Sequence, residues 1–445
     1  MIVAVAVVVA VAVLGAGAWR QHWPPVLFGK TTPPPTLAWS AAKAPLPGDA
    51  AAGNSQDAQL EAVSCAAAGS CVAVGWYEAK DGSGTIATAM TEVLSQGTWI
   101  AAPVPGITSH NGIAALIGVA CPAEGTCVAV GDRTTSQDVS VPEIETLSGG
   151  SWTMTSAALP AGADLSKSAF VNDVACPAPG TCVATGRYTD SSGVTQGLLD
   201  TLSAGTWTAI KAPLPAGADP ARESSQNESS QNDTFTTDVA CAASGTCVAS
   251  GQYTDSAGGT QPLIDTLSAG TWTAAKAPLP ADAAASGQFA SLWAITCQTP
   301  GDCLAGGHYI GRSGQPAYLT ESLSAGTWTA AKAPLPAAAA ANQRWTQEQA
   351  TSVGGVACRA AGYCVASASY VADSGEIAPA IDTLSGGTWT AADAPLPGGA
   401  VQGSKQTAYL TLVACPAAGS CLTVGSYSAD GDGTQGLIET GAAGR

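Results

Sequence analysis

From residue 36 onward the apolar positions come in short runs, cut repeatedly by Gly, Asp, Ser and Pro. In one stretch the runs are Ser168–Cys176, Cys182–Tyr188, Gly197–Ser203 and Thr206–Ala212. Val, Thr, Leu and Ile recur within them, and turn-forming residues separate them, which predicts four short β-strands. Alanine is abundant and favours helix. The Gly frequency, the brevity of the runs and the recurring Pro pairs break any helical period.

The same four-run unit returns seven times. Each copy reads approximately V-A-C-P-A-x-G-T-C-V-A-V-G-x-Y, then a Gly/Asp/Ser turn, then G-L-I-E-T-L-S-x-G-T-W-T-A-x-x-A-P-L-P. All 14 cysteines fall in C-x5-C pairs: Cys65/Cys71, Cys121/Cys127, Cys176/Cys182, Cys241/Cys247, Cys297/Cys303, Cys358/Cys364 and Cys415/Cys421. Four strands repeated radially describe an all-β fold, a seven-bladed β-propeller of four-stranded blades. The last unit stops at Gln435–Thr440 and lacks its G-T-W-T strand, while a matching segment, Thr36–Pro47, opens the repeat region. The N-terminal strand is therefore expected to complete the last blade and remove an exposed edge. Proline cannot donate to a ladder, so Pro213, Pro215, Pro278 and Pro280 belong at the perimeter.

These repeats resemble the cysteine-paired propeller repeats of secreted or membrane-anchored proteins of high-GC bacteria, and the closure is similar to that of WD-repeat propellers. The resemblance covers nearly all of residues 36–440 and implies a fold, with little about function. The turn Ser268-Ala269-Gly270-Thr271-Trp272 also resembles the Asp-box turn of sialidases, without its defining Asp.

Composition narrows the partners. The formal net charge is -17 over 445 residues, which excludes nucleic acid, whose phosphates need a basic footprint. Residues 1–18 form an unbroken apolar run that as a helix would reach roughly 27 Å at ~1.5 Å per residue, near the lower limit for a bilayer. Residues 1–19 are read as a signal peptide or membrane anchor, with Ala16-Gly17-Ala18 as a small-residue cleavage site, and contact with the membrane is expected only through this segment. Arg20 and Lys30 follow the run and by charge alone would place the rest of the chain in the cytoplasm. Paired cysteines demand an oxidising compartment and outweigh that signal, so a basic stretch upstream of residue 1 is expected. Residues 20–35 read as a Pro-containing linker, 36–440 as the propeller and 441–445 as a short tail. Localisation follows as the extracellular side of a bacterial membrane, anchored or secreted, with the chain a monomer.

Seven thiol pairs with only three histidines in the chain argue for disulfides over metal, each closing the turn between the first and second strands of a blade. A tryptophan column, Trp39, Trp99, Trp152, Trp207, Trp272, Trp328 and Trp389, is read as packing between blades. An acidic column, Glu92, Glu145, Asp200, Asp265, Glu321, Asp382 and Glu439, is read as structural, each carboxyl finding a donor because an unpaired buried carboxylate is very costly. One column varies while its neighbours stay nearly fixed: Trp76, Asp132, Arg187, Gln252, His308, Ser369 and Ser426, after V-A-V-G. It is expected to form a solvent-facing ring on the face of the inter-blade connections, opposite the disulfide turns. There Trp76 would stack, Arg187 and Asp132 pair with charges, and His308 respond to pH. The polar stretch Asp219–Thr236 reads as a surface loop on the same face, and its sequons at Asn227 and Asn232 carry little in a bacterial setting.

Catalytic motifs are lacking: no nucleophile elbow, phosphate loop or metal-binding His spacing occurs, and His110 and His308 lie far apart. Asp430 and Asp432 form a weak calcium candidate, better read as a solvated turn. No cofactor is expected. The sequence favours a non-enzymatic extracellular binding scaffold for a protein or glycan. The alternative is a glycan-active hydrolase or lyase in the central depression, for which three of Arg133, Arg187, Arg222, Arg312, Arg344 and Arg359 would have to converge.

Overall fold

The computed structural model describes residues 36–443, apart from 54–55, 82–83, 110–111, 113, 220–233, 342, 344–351, 361 and 432. The apolar segment 1–19, the linker 20–35, His110, Arg222, Arg344, the sequon residues Asn227 and Asn232, most of the 219–236 loop, Asp432 and residues 444–445 lie outside the described residues. Among the described residues no helix is long and apolar enough to cross a membrane.

Seven four-stranded antiparallel sheets form the blades. In the third the strands are Ala169–Ala178, Thr181–Thr189, Thr195–Ser203 and Thr206–Lys211, within a few residues of the runs read from sequence. The first strand of each blade is innermost, because first strands of successive blades contact one another around the ring. They are Ala58–Ala67, Ala114–Ala123, Ala169–Ala178, Phe235–Ala243, Ser291–Thr299, Ser352–Ala360 and Ala408–Ala417. Leu37–Lys43 supplies the outer strand of the seventh blade, pairing antiparallel with Gly433–Ala443 in the register Leu37↔Ala443 to Lys43↔Leu437. The ring therefore closes by hydrogen bonds between the two ends of the repeat region, and the last strand runs on to Ala443.

All seven cysteine pairs are disulfides: Cys65–Cys71, Cys121–Cys127, Cys176–Cys182, Cys241–Cys247, Cys297–Cys303, Cys358–Cys364 and Cys415–Cys421. Their Cα–Cα distances are 4.0–4.1 Å, each across the turn between the first and second strands. Closing so short a loop restricts the unfolded chain by about 2 kcal/mol per bridge in the chain-entropy model.

The bridges do more than close a turn, which is all the spacing implied. The first cysteine of each pair is half-buried, but the second is buried in the seam with the preceding blade. Cys127 of the second blade packs with Val72 and Val74 of the first. Cys247 of the fourth packs with Val183 and Leu199 of the third, and Cys364 of the sixth with Leu304 and Tyr318 of the fifth. Cys71, Cys182, Cys303 and Cys421 sit equivalently in the other four seams. These cysteines are therefore core residues and take no part in a ligand site. The half-buried Trp of each outer strand packs in the same cluster as its blade's disulfide. Trp99 lies with Cys65, Cys71 and Leu422 of the seventh blade, and Trp328 with Cys297, Cys303 and Val248 of the fourth. The tryptophan column thus serves the seams between blades. Between third and fourth strands the Ala269-Gly270 pair has φ of 49° and 79°, a type I′ hairpin turn whose twist matches the flanking strands.

The acidic column departs from expectation. All seven carboxyls are buried on the third strands. Neither oxygen of Glu92, Asp265, Glu321, Asp382 or Glu439 has a hydrogen-bond partner. Only Asp200 accepts from a neighbouring connection, Ala158 N at 3.2 Å. Burial removes the charge by protonation instead of pairing it. It raises Glu92, Asp265, Glu321, Asp382 and Glu439 to about 8, Glu145 to about 7 and Asp200 to about 6.

Candidate functional site

Each inner strand carries one β-bulge near its start. In the third blade Val171 pairs with Gly186 and Asp173 with Thr185, leaving Asn172 unpaired. In six of the seven blades a glycine on the second strand faces the bulge; the sixth has Ala368 there and keeps the bulge. A Cβ on Gly186 would lie 2.0 Å from the carbonyl oxygen of Phe170, and the same contact, 1.9–2.2 Å, recurs at Gly75, Gly131, Gly251, Gly307 and Gly425. In those six, glycine lets the inner strand ride over its neighbour, and in all seven the bulge re-aims the extra side chain toward the axis.

The re-aimed residues are Glu61, Ile117, Asn172, Thr237, Trp293, Gly354 and Thr411, one from each blade, and all seven line a single cavity of about 610 Å³. It opens on the face of the inter-blade connections, where Phe289, Thr407 and Ser428 rim it. A second cavity of about 390 Å³ opens on the opposite face beside Cys65, Cys241, Cys297 and Cys415. Asp173, Asp238 and Leu412 line both and form the waist of the channel.

At the waist, Asp238 accepts backbone N–H bonds from Val239 and Ile295, both 2.7 Å, while Asp173 accepts a longer one from Val239 at 3.3 Å and is hydrogen-bonded to Asp238. Burial, and then the neighbouring Asp238, hold Asp173 well above the usual carboxylate range. Burial raises Asp238 as well, and its hydrogen bonds offset part of that. The two touching carboxyls share a proton across their mutual hydrogen bond. Glu61 is pushed up to about 7 by burial, partly offset by hydrogen bonds from Gln59 and Trp76.

Above the waist one wall is aromatic. Arg187 lies over the Phe170 ring at 4.2 Å and the Phe235 ring at 5.5 Å. Phe235 meets Trp293 at 5.8 Å. Trp293 Nε1 donates to His308 Nδ1 at 3.0 Å, and Phe289 stacks on His308 at 5.2 Å.

The variable second-strand column is close to this site but is placed differently than expected. Asp132, Gln252, His308, Ser369 and Ser426 are buried, and Trp76 and Arg187 half-buried, because each pairs with the inner-strand residue just before the bulge region. Arg187, Gln252, Ser369 and Ser426 line the cavity. The other three stand behind residues that do: Trp76 bonds Glu61, Asp132 faces the charge of Arg187, and His308 receives Trp293. Burial depresses His308 to about 3, so it stays neutral and does not sense physiological pH. Among the described arginines Arg187 alone lines this cavity. Arg133 pairs with Glu143 at 3.0 Å, Arg312 bonds Ala281 O at the surface, and exposed Arg359 borders the opposite mouth, so no three of the described arginines converge. Asp430 is exposed, and no group of three potential metal ligands occurs among the described residues.

Sequence reasoning overlooked the bulge column and the Asp173–Asp238 pair. A signal for them exists. Four Phe occur in the chain, and the three within the propeller, Phe170, Phe235 and Phe289, all stand at this wall.

The fold and the site together define a disulfide-braced seven-bladed propeller with an asymmetric pocket in its central channel. Neither a protein-family model nor any curated protein matches the chain. Among solved structures it is similar to a protein of unknown function from Dyadobacter fermentans (TM-score 0.46, 11% identity, covering 91% of this chain and 98% of that one). It is similar at TM-score 0.39 and 12% identity to Trypanosoma rangeli sialidase, with 71% of this chain matching 53% of that one. A neuraminidase-like protein of the H18N11 bat virus follows at TM-score 0.38 and 10% identity, covering 92% and 95%. The chain spans about half the length of the sialidase, and likenesses this distant carry no statement about activity.

Proposed function

We propose that this is an extracytoplasmic binding protein that takes a segment of a glycan into the connection-face mouth of its channel. One observation carries the reading. The seven bulge residues occupy equivalent positions, yet they are acid, aliphatic, amide, hydroxyl, indole, glycine and hydroxyl, all turned into one cavity. Positions that serve packing repeat across blades, whereas a site that reads an asymmetric ligand has reason to break the repeat. Trp293 and Tyr409 offer apolar faces for sugar rings, and Asn172, Gln252, Thr237 and Ser369 offer the hydroxyl-directed bonds. The seven disulfides suit an oxidising compartment, and the N-terminal apolar segment supplies the route out of the cytoplasm.

Hydrolysis of the glycan is the second reading, favoured by the proton that the Asp173–Asp238 pair holds at the cavity floor. It ranks second because Asp173 and Asp238 touch, whereas glycosidase carboxyls stand about 5 Å or more apart. Glycan-array screening followed by titration calorimetry tests the binding reading. Trp293→Ala is expected to weaken a hit at least about tenfold, the loss of roughly 1.4 kcal/mol of stacking. Unchanged affinity would place the site elsewhere. Steady release of reducing ends from the hit would promote the hydrolase reading.

A further inference from the structure

We infer that the glycan this cavity selects carries free amino groups, as a glucosamine chain does, and that its ammonium seats at the channel waist. The inference rests on the glycan reading above and adds a charge to it. The cavity wall holds one cation, Arg187, which lies over the Phe170 and Phe235 rings and faces buried Asp132. Glu61, Asp173 and Asp238 also line the cavity, and among the described residues no basic side chain acts on any of the three. They converge from opposite sides of the channel, Glu61 from the first blade and the aspartates from the third and fourth.

A carboxyl in this position has two ways to settle its charge, a proton or a ligand cation. A primary ammonium fits the second. It carries three N–H donors, and the waist offers the oxygens of two touching carboxyls. The half-buried Trp293, backed by Phe235, stands above that point, in position to stack the sugar ring that bears the amine and to favour its charge. A hydroxyl at the same place would keep a hydrogen bond without the charge. An N-acetyl group would lose the charge and add bulk at the narrowest part of the channel. Long-range attraction runs the same way, since the whole chain is formally at -17.

The test is titration calorimetry of the full protein with three oligomers of equal length: glucosamine, N-acetylglucosamine and glucose. It is run at about pH 5.5, where a sugar amine, less basic than the ordinary α-amino group, is mostly protonated. The glucosamine oligomer is expected to bind at least about tenfold more tightly than either neutral chain. Asp238→Asn is expected to erase that advantage. Glu61→Gln, at the half-buried bulge on the opposite wall, is expected to reduce the advantage and serves where Asp238→Asn fails to fold. Equal affinity for all three oligomers, or an amine preference that survives both substitutions, overturns the inference and leaves the glycan reading standing. Absence of binding by all three overturns both.

Discussion

Raising the pH from about 5 to about 8 will lower the melting temperature of this protein, against the common pattern in which neutral pH is as favourable as mild acid. The cause is the ring of third-strand carboxyls. Glu92, Asp265, Glu321, Asp382 and Glu439 titrate at about 8 in the folded chain, against 4.5 or 3.8 for the free groups. Between those values the folded state holds protons that the unfolded state has released. Stability therefore is fully present below the unfolded values and is lost as pH rises toward 8. A single such group changes folding free energy by about 4 kcal/mol between pH 5 and 8, at about 1.4 kcal/mol per pH unit. His308 opposes this only below its ordinary value of 6.5, because its folded form stays neutral down to about 3. Thermal melts across this range check the sign. Glu92→Gln combined with Glu439→Gln should flatten the slope, since the amide keeps the shape without the titration. A melting temperature that is flat or rises from pH 5 to 8 would show that the carboxyls are ionised and paired.

Deleting residues 36–47 will cost far more stability than deleting residues 20–30. The first deletion removes all seven register pairs between Leu37–Lys43 and Gly433–Ala443. It also removes Trp39, which packs beside Cys415 and Cys421 and over Gly441, where an added Cβ would lie 2.8 Å from the indole. Losing a packed Trp alone costs about 3–5 kcal/mol. The bared third strand of the seventh blade then presents unpaired N–H and C=O groups, a template for pairing between molecules. The second deletion leaves every one of those pairs in place. The shorter protein is expected to melt well below wild type and to aggregate by light scattering. Equal melting temperatures for the two truncations would refute closure by the N-terminal strand.

The fold was legible because its determinants repeat. The C-x5-C pairs, the Trp of each outer strand and the displaced Thr36–Pro47 segment are each fixed by a contact made seven times, so one chain displays its own pattern. The spacing gave each bridge its partner but not its depth, since burial of Cys127, Cys247 and Cys364 depends on the blade next door. The site was legible only in part, since a binding surface is where the repeat is broken. Arg187, Gln252, Ser369 and Ser426 were found because they vary after a nearly fixed V-A-V-G-like run. Their burial was not foreseen, because sequence position does not reveal that the second strand ends beneath the inner strand's bulge. Asn172, Thr237 and Trp293 escaped notice for the same reason: a bulge shifts the alternation of inward and outward residues by one, and only the backbone shows where it falls. The acidic column was visible as a pattern, and its chemistry was misjudged. A donor for each of seven charged carboxyls is a reasonable expectation; burial instead keeps them protonated, which removes the charge but not the cost of an unpaired polar group.

The central claim is that the channel mouth, and not the perimeter, is where ligand binds. A crystal structure with the best glycan hit soaked in tests it most directly. The account predicts sugar density in the cavity of about 610 Å³, a ring lying on Trp293 and the chain reaching toward Asp173 and Asp238. Sugar bound instead on the outer strands, along the Trp99, Trp152 and Trp207 column, with the channel filled only by water, would contradict it.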